Sequence, residues 1–198
     1  MQIISRPCGA YATNCYILKA PQGDIVIDPG QGAFDFVRQN STRVLAVLNT
    51  HGHFDHIWDN GVLREAYGAP IYIHKDDEFM LKDPFAMGHP HSNADFLVSG
   101  EDSLDIKGLV FRFLHFPGHT PGCCMIELVG ENLAFSGDFL FKGSIGRYDF
   151  PYSDANLMRQ SLEKAAKFTR DLKLLPGHGE KTTLKAEQRA MGWWLNAF

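Results

Sequence analysis

Apolar residues along this chain come in short runs separated by turn residues. Residues 14–18 and 24–27 read as β-strands joined through Pro21-Gln22-Gly23, with a strand-like piece over 1–6 ahead of them. Asp28-Pro29-Gly30 closes the second strand. Apolar Ala33, Phe34, Phe36 and Val37 then suggest a short helix over 32–40, and the aliphatic, β-branched run at 44–48 reads as a buried strand. Helical spacing resumes over 57–67 and stops at Gly68, a residue suited to a C-terminal cap. A strand over 71–73 and a short helix over 75–82 follow. Two prolines and a glycine mark 83–93 as a surface excursion or a substrate-facing lid.

Strands return at 103–106, 109–115, 124–128 and 133–135. A long amphipathic helix over 154–169 comes next, with Asp154 as its N-cap, then a strand over 172–175 and a closing helix over 183–195. No repeat, low-complexity run or linker divides the chain, so residues 1–198 are expected to form a single domain. Two batches of strands, separated and followed by helices, suit two sheets with helices outside them.

The candidate chemistry begins directly after the run at 44–48, in Thr50-His51-Gly52-His53-Phe54-Asp55-His56. This puts three histidines and an aspartate at the C-terminal tip of a strand, where α/β folds place their chemistry. Imidazole with carboxylate suits a borderline cation such as zinc, or else iron or manganese. Four such side chains cannot all reach one ion from a single extended segment. The spacing splits more naturally into His51 with His53 for one ion and Asp55 with His56 for a second. Three later stretches share a simpler form, an apolar strand and then a Gly-containing turn holding one potential ligand. They are Phe116-Pro117-Gly118-His119-Thr120-Pro121-Gly122, Phe135-Ser136-Gly137-Asp138 and Leu175-Pro176-Gly177-His178-Gly179. If these strands run in one sense, the turns meet at one edge and pool five histidines and two aspartates. The other histidines stand apart from further ligand types: His89 and His91 are expected to be exposed in their loop, His74 and His115 to be structural.

Composition narrows the functions. Hydrophobic residues make up 44% and charged residues 21%, as in ordinary soluble globular proteins. A formal net charge of -4 offers no basic footprint for nucleic acid or an anionic membrane. The N-terminus lacks a signal-peptide apolar region, and no run reaches transmembrane length. Cys8, Cys15, Cys123 and Cys124 lack C-x-x-C spacing and read as buried free thiols of a reducing compartment. The expectation is a cytoplasmic protein acting on a small molecule, with neither nucleic acid nor a membrane as partner.

The motifs resemble those of the metallo-β-lactamase fold superfamily, in which T-H-x-H-x-D-H is followed by single His, Asp and His positions. The resemblance runs from Asp28-Pro29-Gly30 through His178, with every ligand position filled. It implies an α+β fold, a four-layer αββα sandwich, carrying two divalent ions, zinc foremost. On that resemblance His51, His53 and His119 hold one ion, Asp55, His56 and His178 hold the other, and Asp138 bridges them. Zinc β-lactamases of the B1 type usually carry cysteine where this chain has Asp138. Together with 116–122, Gly146-Arg147-Tyr148-Asp149-Phe150-Pro151 and Pro176-Gly177-His178-Gly179 with Thr182-Thr183, this resembles a short bacterial branch of the glyoxalase II-type thioesterases, the hydroxyacylglutathione hydrolases. The resemblance implies hydrolysis of a thioester such as S-lactoylglutathione by a metal-bridging hydroxide. Asp55 and Asp138 would be the catalytic carboxylates, with Asp55 also the proton acceptor. Arg147 is the candidate grip on a substrate carboxylate, and Asp28 and Thr50 are candidates to orient ligand histidines. Longer relatives supply much of the glutathione site from a helical domain after the last ligand. Only twenty residues follow His178 here, so weak recognition of glutathione is expected. The alternatives are a persulfide dioxygenase with one iron on His51, His119 and Asp138, suggested by 146–150, and a hydrolase of another small ester or lactone.

Overall fold

The computed structural model describes residues 1–198. β1 (Gln2–Cys8), β2 (Thr13–Lys19) and β3 (Asp24–Ile27) make the expected meander. Then come α1 (Ala33–Asn40), β4 (Val44–Leu48), α2 (Phe54–Ile57), α3 (Asn60–Tyr67), β5 (Ile71–His74), a 3-10 helix (Lys75–Lys82) and β6 (Phe96–Val98). The six strands form one sheet in chain order, antiparallel from β1 to β3 and parallel from β3 to β6. The second half supplies β7 (Ser103–Ile106), β8 (Leu109–His115), β9 (Cys124–Leu128) and β10 (Leu133–Gly137). A small hairpin, β11 (Leu140–Phe141) and β12 (Ser144–Ile145), precedes α4 (Ala155–Ala166), β13 (Lys173–Pro176), β14 (Thr182–Thr183), α5 (Leu184–Gln188) and α6 (Met191–Leu195). The second sheet has the order β14-β13-β10-β9-β8-β7.

Alternation of side chains along the strands builds the layers. In β2, Tyr16 and Leu18 point between the sheets, where they meet Phe111, Phe113, Ile126 and Phe135. Cys15 and Ile17 point the other way, onto Ala33, Phe36 and Val37 of α1 and Leu63 of α3. Both faces of β2 are buried, which is why it reads as a continuous apolar run. On the far side Leu114, Met125 and Leu174 are covered by Met158 and Leu162 of α4 and by Trp194 of α6. The result is the four-layer αββα sandwich.

β8 and β10 each pair antiparallel with β9, and β10 pairs parallel with β13. The three ligand-bearing strands of the second sheet therefore end at one edge. The tip of β4 joins them there, where Cys124 N–H donates to Thr50 O at 2.9 Å.

Several expectations are corrected. The helix read over 57–67 is two helices, because Asp59 leaves helical geometry. Its N–H donates to Pro29 O and its carboxylate accepts Phe34 N–H at 2.7 Å, fastening the α2–α3 corner to the start of α1. The closing helix over 183–195 is likewise broken, between α5 and α6. β6, β11, β12 and β14 had no clear signal, being two or three residues long. No helix is long and apolar enough to cross a membrane. All four cysteines are free and buried.

Candidate metal centre

Each ligand turn leaves its strand at the shared edge, and the local backbone explains the glycines there. At the end of β10 the register shifts after Phe135, and Gly137 turns with φ +51°; a Cβ on it would lie 2.4 Å from Thr50 Oγ1. Gly177 is pressed closer still, since a Cβ would lie 2.1 Å from Asp138 Oδ1 and 2.6 Å from His56 Cε1. α2 is one turn long and sets Asp55 and His56 beside each other behind His53.

The predicted ligands converge. His53 Nδ1 lies 2.8 Å from His119 Nε2 and 3.2 Å from His51 Nε2. His56 Nε2 and His178 Nε2 are 3.3 Å apart, and Asp55 Oδ2 is 3.5 Å from the first and 3.4 Å from the second. Asp138 straddles the two groups: Oδ1 is 3.4 Å from His56 Nε2, and Oδ2 is 3.3 Å from His178 Nε2 and 3.5 Å from His119 Nε2.

Hydrogen bonds on the far side of each ring fix which nitrogen faces inward. His119 Nδ1–H donates to Arg147 O at 2.7 Å and His178 Nδ1–H to Tyr11 O at 3.0 Å. His56 Nδ1–H donates to Asp28 Oδ2 at 3.1 Å. Asp28 also accepts Thr50 N–H at 2.8 Å and the Thr50 hydroxyl at 2.6 Å, so Thr50 Oγ1 is left to accept His51 Nδ1–H at 3.1 Å. Asp28 and Thr50 thus orient His51 and His56, as read from the sequence. The second nitrogen of His51, His56, His119 and His178 is thereby turned toward the centre, where it can carry a lone pair or a proton.

This donor set fits divalent cations. The facing nitrogens of His51, His53 and His119 lie 2.8–3.2 Å apart, a spacing met either by a proton on His53 Nδ1 or by one cation among the three. Ligands on a tetrahedral zinc are about 3.3 Å apart for bonds of about 2.05 Å, close to the spacings at both triads. Asp138 Oδ1 is buried with no hydrogen-bond partner, which a metal bond would supply. Burial pushes His51 and His119 below the ordinary histidine value and takes His53 down to about 3, so all three are neutral and ready to ligate. Burial acts the same way on His56 and His178, but Asp55 and Asp138 overcome it, raising His56 well above its usual value and His178 to about 9. The same contacts hold both carboxylates below their usual range against the opposing pull of burial. In the metal-free protein, protons on His56 and His178 play the part of cations.

Two functional residues carried no sequence signal. Thr13 donates its hydroxyl to Asp55 Oδ2 at 2.6 Å. Asp77, fully buried in the 3-10 helix, accepts Gly52 N–H at 2.9 Å, the Thr120 hydroxyl at 2.6 Å and Gly122 N–H at 2.6 Å. Burial pushes its carboxyl up to about 6 while these donors pull it down. It ties the turn holding His51 and His53 to the turn holding His119, and makes no hydrogen bond to Asp55, His56 or the turn of His178. Asp77→Asn replaces an acceptor oxygen with a donor against those N–H groups. It is expected to weaken the ion on His51, His53 and His119 by about 10–100-fold. Stepwise competition with a chelator reads the two ions separately; equal weakening of both would show a general packing defect instead.

His89 corrects the sequence reading, for it is buried. The 83–93 loop folds back on itself, with Asp83 accepting Met87 N–H and Gly88 N–H at 2.8 Å each and facing His89 Nδ1 at 3.2 Å. His91 is exposed. His74, Asp76 and His115 form a further cluster, but the two rings stack 4.1 Å apart at 16° and His115 Nε2–H donates to Pro121 O. An imidazole lone pair lies in its ring plane, so stacked rings send theirs along two nearly parallel planes rather than to one point.

A cavity of about 570 Å³ opens over the centre, floored by His53, Asp55, His119, Asp138 and His178. Arg147 lines it, but its guanidinium is committed: Nε and Nη2 each donate to Asp149 at 2.8 Å, and Cζ sits 4.3 Å above the Phe150 ring.

Comparison with known proteins agrees with this geometry. The family model of the metallo-β-lactamase superfamily matches residues 8–178. Hydroxyacylglutathione hydrolase GloC of Haemophilus influenzae is 31% identical, over 96% of each chain. Among solved structures, BLEG-1 B3 metallo-β-lactamase is 33% identical over 95% of this chain and 97% of that one, with a TM-score of 0.86. TTHA1623, solved in a di-iron-bound form, is 32% identical over 94% and 97%, with a TM-score of 0.79. The matched span reaches from β1 to the last ligand turn and takes in every element that shapes the centre, so this chain belongs to the metallo-β-lactamase superfamily.

Proposed function

We propose that the protein is a binuclear metal-dependent hydrolase that cleaves small thioesters, as the hydroxyacylglutathione hydrolases do. The observation that carries this is Asp138, whose Oδ2 lies within 3.5 Å of a histidine of each triad while Oδ1 faces His56. His51, His53 and His119 would hold one ion and Asp55, His56 and His178 the other, with Asp138 available to both. The all-nitrogen-and-oxygen donor set suits zinc, with iron or manganese as alternatives; the di-iron form of TTHA1623 lends support to iron. When bound, the ions supply a water of lowered pKa and polarise the carbonyl of the substrate.

The chain's own groups do the rest. Asp55 Oδ2, held by the Thr13 hydroxyl, is placed to take the proton as water oxygen bonds to the acyl carbon. The C–S bond then breaks, and the thiol leaves as the proton passes on to it. No cysteine is needed as nucleophile. Cys123 and Cys124 are fully buried, and burial raises both thiols well above their ordinary value. Cys123→Ser is therefore expected to leave hydrolysis within about two-fold, a small cost compared with the loss of a nucleophile. Abolished turnover at unchanged metal content would point to a thiol mechanism.

Elemental analysis with a thioester, lactone and phosphodiester panel tests the reading. Two ions per chain and thioester hydrolysis, including slow, high-KM turnover of S-lactoylglutathione, are expected. One iron per chain with oxygen uptake on glutathione persulfide would replace it with the dioxygenase. The substrate is a small molecule rather than nucleic acid or membrane, and the four free thiols suit the cytoplasm.

A further inference from the structure

Beyond the candidate metal ligands, the cavity walls are apolar except at Ser144 and Arg147. Tyr11 and Phe54 meet edge to face at 5.1 Å on one side, Phe85 and Met87 come in from the 83–93 loop, and Phe141 and Phe150 face them. The aromatic surface continues out of the mouth. Phe79 packs against Tyr152 at 4.9 Å and Tyr152 against Phe85 at 5.5 Å, though Phe79 remains 38% and Tyr152 54% exposed. Arg147 is the cation of the lining. Two of its five N–H donors go to Asp149, and Phe150 covers one face. A glutathione moiety, with two carboxylates and an ammonium, finds a single cation here, already paired with Asp149, and would lose water against rings that cannot replace it.

We propose that the cavity seats an uncharged, apolar substrate: an ester or thioester joining an aryl- or alkyl-bearing acyl group to a neutral thiol or alcohol. This rests on the reading of the centre as a thioester hydrolase. Aromatic walls supply large apolar contact at fixed geometry, and the volume lies within the usual range for small-molecule sites. The 83–93 loop serves as the specificity wall, held in shape by Asp83.

The test compares esters that share one acyl group and differ in the thiol. The phenylacetyl thioester of N-acetylcysteamine is neutral; S-phenylacetylglutathione is charged. Metal-loaded protein is expected to favour the neutral ester by at least about ten-fold in kcat/KM, through KM. Asp149→Asn, which frees the edge of Arg147, is expected to narrow that ratio several-fold by lowering KM for the glutathione ester. A second arm needs no turnover: calorimetry with the benzyl thioether of N-acetylcysteamine and with S-benzylglutathione. The neutral thioether is expected to bind at least about ten-fold more tightly. Equal affinity, tighter binding of the glutathione thioether or binding of neither overturns the inference. If the neutral thioether binds more tightly and no thioester is cleaved, the proposed reaction fails and the apolar site stands.

Discussion

Asp138→Asn is expected to yield a folded protein that keeps at most one ion and loses at least about a thousand-fold in kcat/KM, some 4 kcal/mol of transition-state stabilisation. On the proposed reading Asp138 would be the shared ligand, with one oxygen 3.4 Å from His56 and the other within 3.5 Å of both His178 and His119. The amide is the same size, so packing survives, but it removes a negative charge and turns an NH2 toward one ion. His56 is then left facing Asp28 and Asp55 as its remaining carboxylates. Elemental analysis and circular dichroism on the same sample check it. A variant that retains two ions and more than a tenth of its activity would show that Asp138 does not bridge.

The stability gained from metal is expected to grow with pH between about 6.5 and 9. In the metal-free protein His178 titrates near 9 against 6.5 in an unfolded chain. Its proton therefore stabilises the fold fully below 6.5, and that contribution disappears as pH rises through 9. His56 is raised too and works in the same direction. The depressed histidines, His51, His53 and His119, act only below 6.5, and the depressed carboxylates lower still, so neither group enters this window. At about 1.4 kcal/mol per pKa unit, screened because 29% of the side chain is exposed, His178 alone is worth about 2 kcal/mol. Metal-bound protein is spared this loss, because higher pH removes protons that compete for the ligands. The gap in Tm between zinc-loaded and chelator-treated protein should widen by about 4–8 °C across that range. A constant or shrinking gap would mean that His56 and His178 do not hold protons in place of cations.

Sequence reading located the chemistry better than its support. All seven candidate ligands, and Asp28 and Thr50 behind them, were legible because each sits in a glycine-marked turn or a dense local cluster after a strand. Asp77 was not. An acidic residue in a first helical turn is ordinary, and nothing near it in the chain says that its carboxylate reaches Gly122, across to the other sheet. His89 failed for a related reason: proline and glycine mark a loop, but they do not say that Asp83 gathers it inward. The split at Asp59 was hidden because apolar spacing continues across it, while its backbone and side chain are held by partners about 25 residues away.

The last ligand turn carries a consequence for how the molecule is made. Asn14 donates its side-chain amide to Pro176 O and Gly179 O at 3.0 Å, its N–H bonds to Gly177 O, and the Tyr16 hydroxyl reaches Pro176 O at 2.7 Å. These partners are about 160 residues apart in sequence, so each contact closes a loop of most of the chain before it is rewarded. A nascent chain has His51, His53, Asp55 and His56 long before it has anything to set against them. Completion of the proposed second site is in that sense a final inspection: His178 reaches Asp55 and His56 only once the first hairpin and the last ligand turn have found each other.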